Sequence, residues 1–174
     1  MTRHALPFFL FVLAISGGVG ASAARAQDGL SGSWKLASSN AEAAERRAAI
    51  EAATQELPYF TRSRGRERLE ERTTPLAKVR ISVVGDRVDL TGSGPTISLT
   101  VGGPSVPVEA EGRRGSARAT RQEGNLVITL QGENGVRTTI YRLSEDGQRL
   151  VLDVDLAAKA ISTPVRYRVT YERS

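Results

Sequence analysis

Leu150-Val-Leu-Asp-Val-Asp-Leu156, followed after a short connection by Val165-Arg-Tyr-Arg-Val-Thr-Tyr171, is the stretch that decides the fold. In the first run Leu150, Leu152, Val154 and Leu156 share one parity, and Val151, Asp153 and Asp155 take the other. In the second, Val165, Tyr167, Val169 and Tyr171 alternate with Arg166, Arg168 and Thr170. Strand side chains point to opposite faces in turn. A two-residue period therefore puts the apolar groups on one face and the charges on the other.

The same rhythm extends back toward the N-terminus. Val79, Ile81 and Val83 alternate with Lys78, Arg80 and Ser82, and Val88 and Leu90 follow a Gly85-Asp86 turn. Ile97, Leu99 and Val101 form another set, as do Leu126, Ile128 and Leu130 after Gly124-Asn125. Val106–Ala110 reads as an edge strand, because Pro104 and Pro107 donate no ladder hydrogen bond. Ala117–Gln122 reads as a weaker strand. In Val136–Leu143 the parity shifts near Ile140-Tyr141, which predicts a bulge. Ser33–Ala37 supplies the first strand, with Trp34 and Leu36 on one face.

Together these give about eight to ten strands spaced roughly 8–12 residues apart, joined by short turns. The expected fold is mainly β, an antiparallel up-and-down β-barrel with a helical insertion after the first strand. Closing the sheet buries the apolar face and removes open edges. A two-sheet sandwich is the alternative.

The insertion spans 39–73. Ser39 and Glu42 have capping-box spacing, and Ala41–Leu57 is rich in Ala, Glu and Arg up to Pro58. Ala43, Ile50, Ala53 and Leu57 share a face, and Glu42 and Arg46 are spaced to pair. Tyr59-Phe60 reads as a two-ring anchor. Arg62–Thr73 reads as a second helix, interrupted near Gly65.

Residues 1–26 carry the pattern of a secretory signal peptide. A basic start, an apolar run from Ala5 to Val19 and the small-residue site Ala24-Arg25-Ala26 come in order. Residues 27–174 are then a single exported domain, periplasmic or extracellular, with no stable membrane span after signal cleavage. The chain has 24 Lys+Arg, 19 Asp+Glu, one His and no Cys, and the His falls in the signal. Without His or Cys the mature chain has no Ser–His–Asp or Cys–His nucleophile system, no zinc site ligated by those residues and no disulfide.

Gly32-Ser33-Trp34 on the first strand, followed by a helical segment and a meander, resembles the lipocalin-like (calycin) group of small secreted β-barrels. In that group a Gly-x-Trp closes one end of the barrel. The order of strand, helices and further strands is closest to fatty-acid-binding barrels, whose helices lid the cavity. The resemblance implies a closure set of Gly32, Trp34 and a basic residue from the last strand. Arg168 is the expected residue, with Arg166 and Arg173 as alternatives. It also implies an interior that takes a small hydrophobic ligand.

The residues expected to line that interior are Val79, Leu99, Ile128 and Leu152, with Tyr141, Tyr167 and Tyr171 as polar handles. No catalytic residue, metal ligand or cofactor is assigned, and the expected function is not enzymatic. Asp153 and Asp155 stand opposite the leucines and face water. Arg62, Arg64, Arg66 and Arg68 are offset by Glu67, Glu70 and Glu71, so a solvated helix is expected and no nucleic acid. The alternative function is a non-catalytic cell-envelope interaction module with a filled core. Its surface would be Arg62–Arg72 or the edge near Val106–Ala110, and its protein partner is unknown.

Overall fold

A computed structural model describes residues 29–110 and 113–174; the expected signal peptide lies outside them. The strands are β1 (Gly32–Leu36), β2 (Lys78–Val84), β3 (Arg87–Thr91), β4 (Ile97–Thr100), β5 (Val106–Ala110), β6 (Arg113–Gln122), β7 (Asn125–Gly132), β8 (Gly135–Leu143), β9 (Arg149–Ala158) and β10 (Val165–Arg173). Helices α1 (Asn40–Gln55) and α2 (Tyr59–Thr73) stand between β1 and β2. All the strands belong to one antiparallel sheet in the order β4-β3-β2-β1-β10-β9-β8-β7-β6-β5. Apart from the β1–β10 pairing, every neighbour in the sheet is a neighbour in sequence.

The sheet curls into a nearly closed up-and-down barrel, not a sandwich. Val101, just past β4, forms a parallel bridge to Ala119 of β6, and the Gly102 N–H donates to the Ala119 carbonyl at 2.9 Å. The rows across the wall follow the predicted parity. Ala119, Ile128, Thr139, Val154 and Tyr167 stand in register across β6 to β10 and face inward. Each of them is buried. Asp153 and Asp155 face outward, paired with Arg168 at 2.9 Å and Arg166 at 2.7 Å.

One end of the barrel is sealed by Trp34, which is 0 % exposed. Its indole N–H donates to the Leu30 carbonyl at 3.0 Å. The Arg173 guanidinium lies 4.5 Å from the ring centroid and donates to the carbonyls of Gly29, Ser31 and Gly147. A cation over an aromatic face gains electrostatic attraction, and the three carbonyls each take one N–H, one from each guanidinium nitrogen. Gly32 has φ +151°, and a Cβ there would sit 2.7 Å from Arg173 Nη1, so glycine makes room for the clasp.

Arg168 does not perform this closure. It lies on the outward parity of β10, bound to Asp153 across the strand pair. The same hydrogen bond and charge raise the Arg168 pKa. Arg173, five residues on, takes the inward parity of Val165, Tyr167, Val169 and Tyr171. It stands at the strand's end, beside Trp34 in register, where it can turn over the rim.

The opposite end carries the helices. The capping box forms, with Ser39 and Glu42 exchanging hydrogen bonds at 3.1 and 3.2 Å. Helix α1 then lies along β10. Glu42 accepts from the Thr170 hydroxyl at 2.6 Å, and Glu56 from Thr163 at 3.0 Å. Ile50 and Ala53 turn into the core. Glu42 is thus taken by β10, and Arg46 donates to Thr73 of α2 at 3.1 Å instead of pairing with Glu42.

Helix α2 runs through Gly65 without a break. A Cβ at Gly65 would collide with Leu57, so the residue marks the close approach of the two helices. Arg62 donates to the carbonyls of Gln55 and Leu57 at the end of α1, where unpaired carbonyls collect. Tyr59 and Phe60 are not an anchor; they are 88 % and 86 % exposed.

The expected bulge in β8 is absent. Its pairing with β7 and β9 is continuous from Gly135 to Tyr141. The inward row of β8 is Arg137, Thr139 and Tyr141, with Val136 and Ile140 outward. What reads as a slipped parity is a strand with polar groups facing in.

Trp34→Ala should cost about 3–5 kcal/mol of stability, the range for emptying a buried aromatic site. Urea denaturation followed by circular dichroism measures it. A loss below about 1 kcal/mol would mean that the barrel does not rely on this seal.

Candidate functional site

Among the described residues the inward row is aliphatic on β2–β5, β7 and β9, carries Trp34 on β1 and Arg121 at the end of β6, and holds polar groups on β8 and tyrosines on β10. Arg137 stands between Leu130 of β7 and Leu156 of β9 in register. Two and four residues on, Thr139 and Tyr141 share its face, and Tyr167 and Tyr171 face them from β10 across β9. The arrangement follows from the period of two and the one-to-one register of the meander.

Every carboxylate on a described strand takes the outward parity: Asp89, Glu109, Asp153, Asp155 and Glu172. Among the described residues Arg137 therefore has no ion-pair partner. Its Nε is buried without a hydrogen bond. A guanidinium taken partly out of water without a counter-charge is costly, and an anion beside it would recover that cost.

The tyrosines around it are held neutral. Burial pushes the Tyr171 phenol up to about 12 and raises those of Tyr141 and Tyr167; the Arg137 charge acts in the opposite sense on all three. The Tyr171 hydroxyl is already used, donating to the Leu76 carbonyl at 3.0 Å. Among the described residues the Tyr141 and Tyr167 hydroxyls have no partner. A neutral phenol can donate to an anion; a phenolate would repel it.

The expected lining residues separate into two groups. Leu99, Ile128 and Leu152 are packed in the core. Val79 and Tyr141 are only half-buried. Tyr167 is brought near Arg137, whereas Tyr171 is committed to the wall. Sequence reasoning missed Arg137. Its signal was present as the parity irregularity of β8, which marks a charge on an apolar face.

The outer wall also carries a shallow cleft of about 280 Å³, lined by Glu45, Thr138, Asp153, Asp155, Arg166 and Arg168. Its strand charges already pair with one another, so it offers no free counter-charge. Among the described residues no group of acidic side chains is arranged to hold a metal ion, and no helix is long and apolar enough to cross a membrane.

No family model matches the sequence, and neither does any curated protein. Solved structures do match in fold. One is a secretary abundant heat soluble (SAHS) protein from Ramazzottius varieornatus, with a TM-score of 0.57 at 16 % identity; the match covers 84 % of this chain and 96 % of that one. Another is the REP1-NXSQ fatty acid transporter, with a TM-score of 0.50 at 14 % identity, covering 83 % of this chain and 96 % of that one. At these identities the likeness is one of fold, and the fold is a lipocalin-like, calycin-type barrel.

The raised tyrosines make stability fall in alkali. Tyrosine in an unfolded chain ionises near pH 10. Tyr171 in the folded barrel keeps its proton to about 12. Between those values the unfolded state binds fewer protons, so stability falls as pH rises through the window, and below it this contribution is flat. Urea midpoints stepped from neutral pH into alkali should show the fall, and Tyr171→Phe should make it shallower. An unchanged slope in the variant would remove Tyr171 from the account.

Proposed function

We propose that this lipocalin-like barrel is an exported, non-enzymatic protein that binds a small amphipathic ligand with a negatively charged head group. The single observation that carries the reading is the inward Arg137, unpaired in a barrel whose strand carboxylates all face outward. The head group supplies the missing counter-charge, and the free hydroxyls of Tyr141 and Tyr167 donate hydrogen bonds to it. Leu130, beside Arg137 in register, and the half-buried Val79 across the barrel take the apolar part. This is the usual balance of a small-molecule site: mostly apolar surface with a few placed polar groups. The fold likeness to a fatty acid transporter is consistent with it. Export rests on the signal pattern of residues 1–26.

A naphthalene sulfonate dye combines an anionic head with an apolar body. It should bind the folded protein saturably, with fluorescence enhancement. Arg137→Met, close in volume but uncharged, should weaken binding about tenfold to a hundredfold, the worth of a hydrogen-bonded charge at roughly 1.5–3 kcal/mol. The fold is checked by circular dichroism. Equal affinity in the two proteins would remove Arg137 from the site, and no saturable binding to the wild type would end this reading.

The second reading, a non-catalytic envelope module, draws on the exposed rings of Tyr59 and Phe60 at the turn between the helices. The dye titration separates the two, because a module with a filled core offers the dye no interior site.

A further inference from the structure

The sheet begins at β4 and ends at β5, so these two strands flank a seam in the barrel wall without pairing across it. Among the described residues the Val101–Ala119 bridge, past the end of β4, draws the seam together. A groove of about 260 Å³ lies along it. Ser98, Leu99 and Thr100 of β4 and Arg87 of β3 line one side, and Pro104 and Val106 the other. Strand register decides which backbone groups face this groove. The Val101 N–H donates to the Asp86 carbonyl at 2.8 Å, toward β3. In an antiparallel pair such residues alternate, so Leu99 and Ile97 also turn their backbone groups to β3. Ser98 and Thr100 then turn theirs to the seam. Gly102, on the same parity, sends its N–H across to Ala119. The Thr100 carbonyl is taken by the Gly103 N–H at 3.0 Å. Among the described residues the Ser98 N–H, the Ser98 carbonyl and the Thr100 N–H are left without a protein partner.

Proteins guard open strand edges with proline, charge or a bulge. Strand β5 is guarded by Pro107, which has no N–H, and by Glu109. Strand β4, Ile97-Ser-Leu-Thr100, carries neither proline nor charge. We propose that the seam receives an extended acidic peptide, which adds as a strand to the free edge of β4. A second barrel does not fit this slot: its edge strand brings a sheet with it, and Pro104 and Val106 wall off the far side. In antiparallel pairing one peptide residue exchanges both backbone hydrogen bonds with Ser98. The residue before it faces inward, toward Leu99 and Val106, and is apolar. The one before that lies on the outer face opposite Thr100, in the row of Arg87. Arg87 donates from Nε to Asp89 at 3.1 Å and from Nη2 to Ser98 Oγ at 3.3 Å. Among the described residues its Nη1 has no partner, so an acidic side chain is favoured there.

The probe is the fluorescein-labelled amide Gly-Glu-Val-Thr-Val-Gly, titrated into the full chain by fluorescence anisotropy. It should bind saturably. Methylating the backbone nitrogen of its threonine removes the donor to the Ser98 carbonyl and should weaken binding about tenfold. Replacing its glutamate by lysine should weaken binding by a similar factor. Ser98→Pro removes a seam-facing N–H that β3 does not use. It should abolish binding with the circular dichroism spectrum unchanged. Amide hydrogen exchange reads the edge directly in the unaltered protein: Ser98 and Thr100 should exchange fast, Leu99 slowly, and the peptide should slow the first two. No saturable binding, or affinity indifferent to the N-methyl group, would overturn the proposal. Protection of Ser98 and Thr100 that grows with protein concentration in the absence of peptide would overturn it in favour of a second copy of the chain.

Discussion

Strand β1 is five residues long and pairs with β10 through only Trp34, Lys35 and Leu36. That shortness shapes the rest of the molecule. From Val165 to Thr170 the β10 edge has no strand beside it, and an uncovered edge exposes unpaired backbone groups. The chain answers locally. Ser38 accepts from the Thr170 N–H at 3.1 Å, the Ala37 N–H donates to the Thr170 carbonyl at 2.9 Å, and α1 then lies along the open flank. The helices are thus part of the wall at β10 and a partial cover at the mouth.

The two ends of the barrel are chemically opposite. At the sealed end a cation is held in place: Arg173 rests on Trp34 and donates to three carbonyls. At the mouth a cation is left over. Arg137 faces inward with a buried, unpartnered Nε. Outside, the arginines of β8–β10 are neutralised in a ladder, with Asp153 held between Arg142 and Arg168 and Asp155 held by Arg166. Surface pairs of this kind contribute little to stability, but they use up the carboxylates of that wall. The inner face of the described strands carries no carboxylate at all.

Much of the fold was legible because burial on one face imposes a period of two, and that period survives in the residues. The alternations of Val79–Val83, Leu150–Leu156 and Val165–Tyr171 became inward and outward faces as read. The Ser39–Glu42 box was legible because a capping box is a local exchange between residues three apart. The errors arose where a local reading met a tertiary demand. Gly65 reads as a helix breaker, yet it is a contact point for Leu57. The β8 row reads as a bulge, because a polar residue on the inner face contradicts the pattern used to assign faces. The inward parity of Tyr167 and Tyr171 was legible in the sequence, and that of Arg137 was not.

The sequence by itself determined the alternation, the helical interruption, the absence of His and Cys chemistry in residues 27–174, and the presence of a Gly-x-Trp on the first strand. These are matters of composition and near-neighbour spacing. Tertiary structure decided which tyrosines keep a free hydroxyl and that Arg137 is the charge left inside, whereas the parity of the last strand already sets Arg173 apart from Arg166 and Arg168. Such choices depend on register between strands far apart in the chain and on where the helices come to rest. Residue order carries no direct record of either.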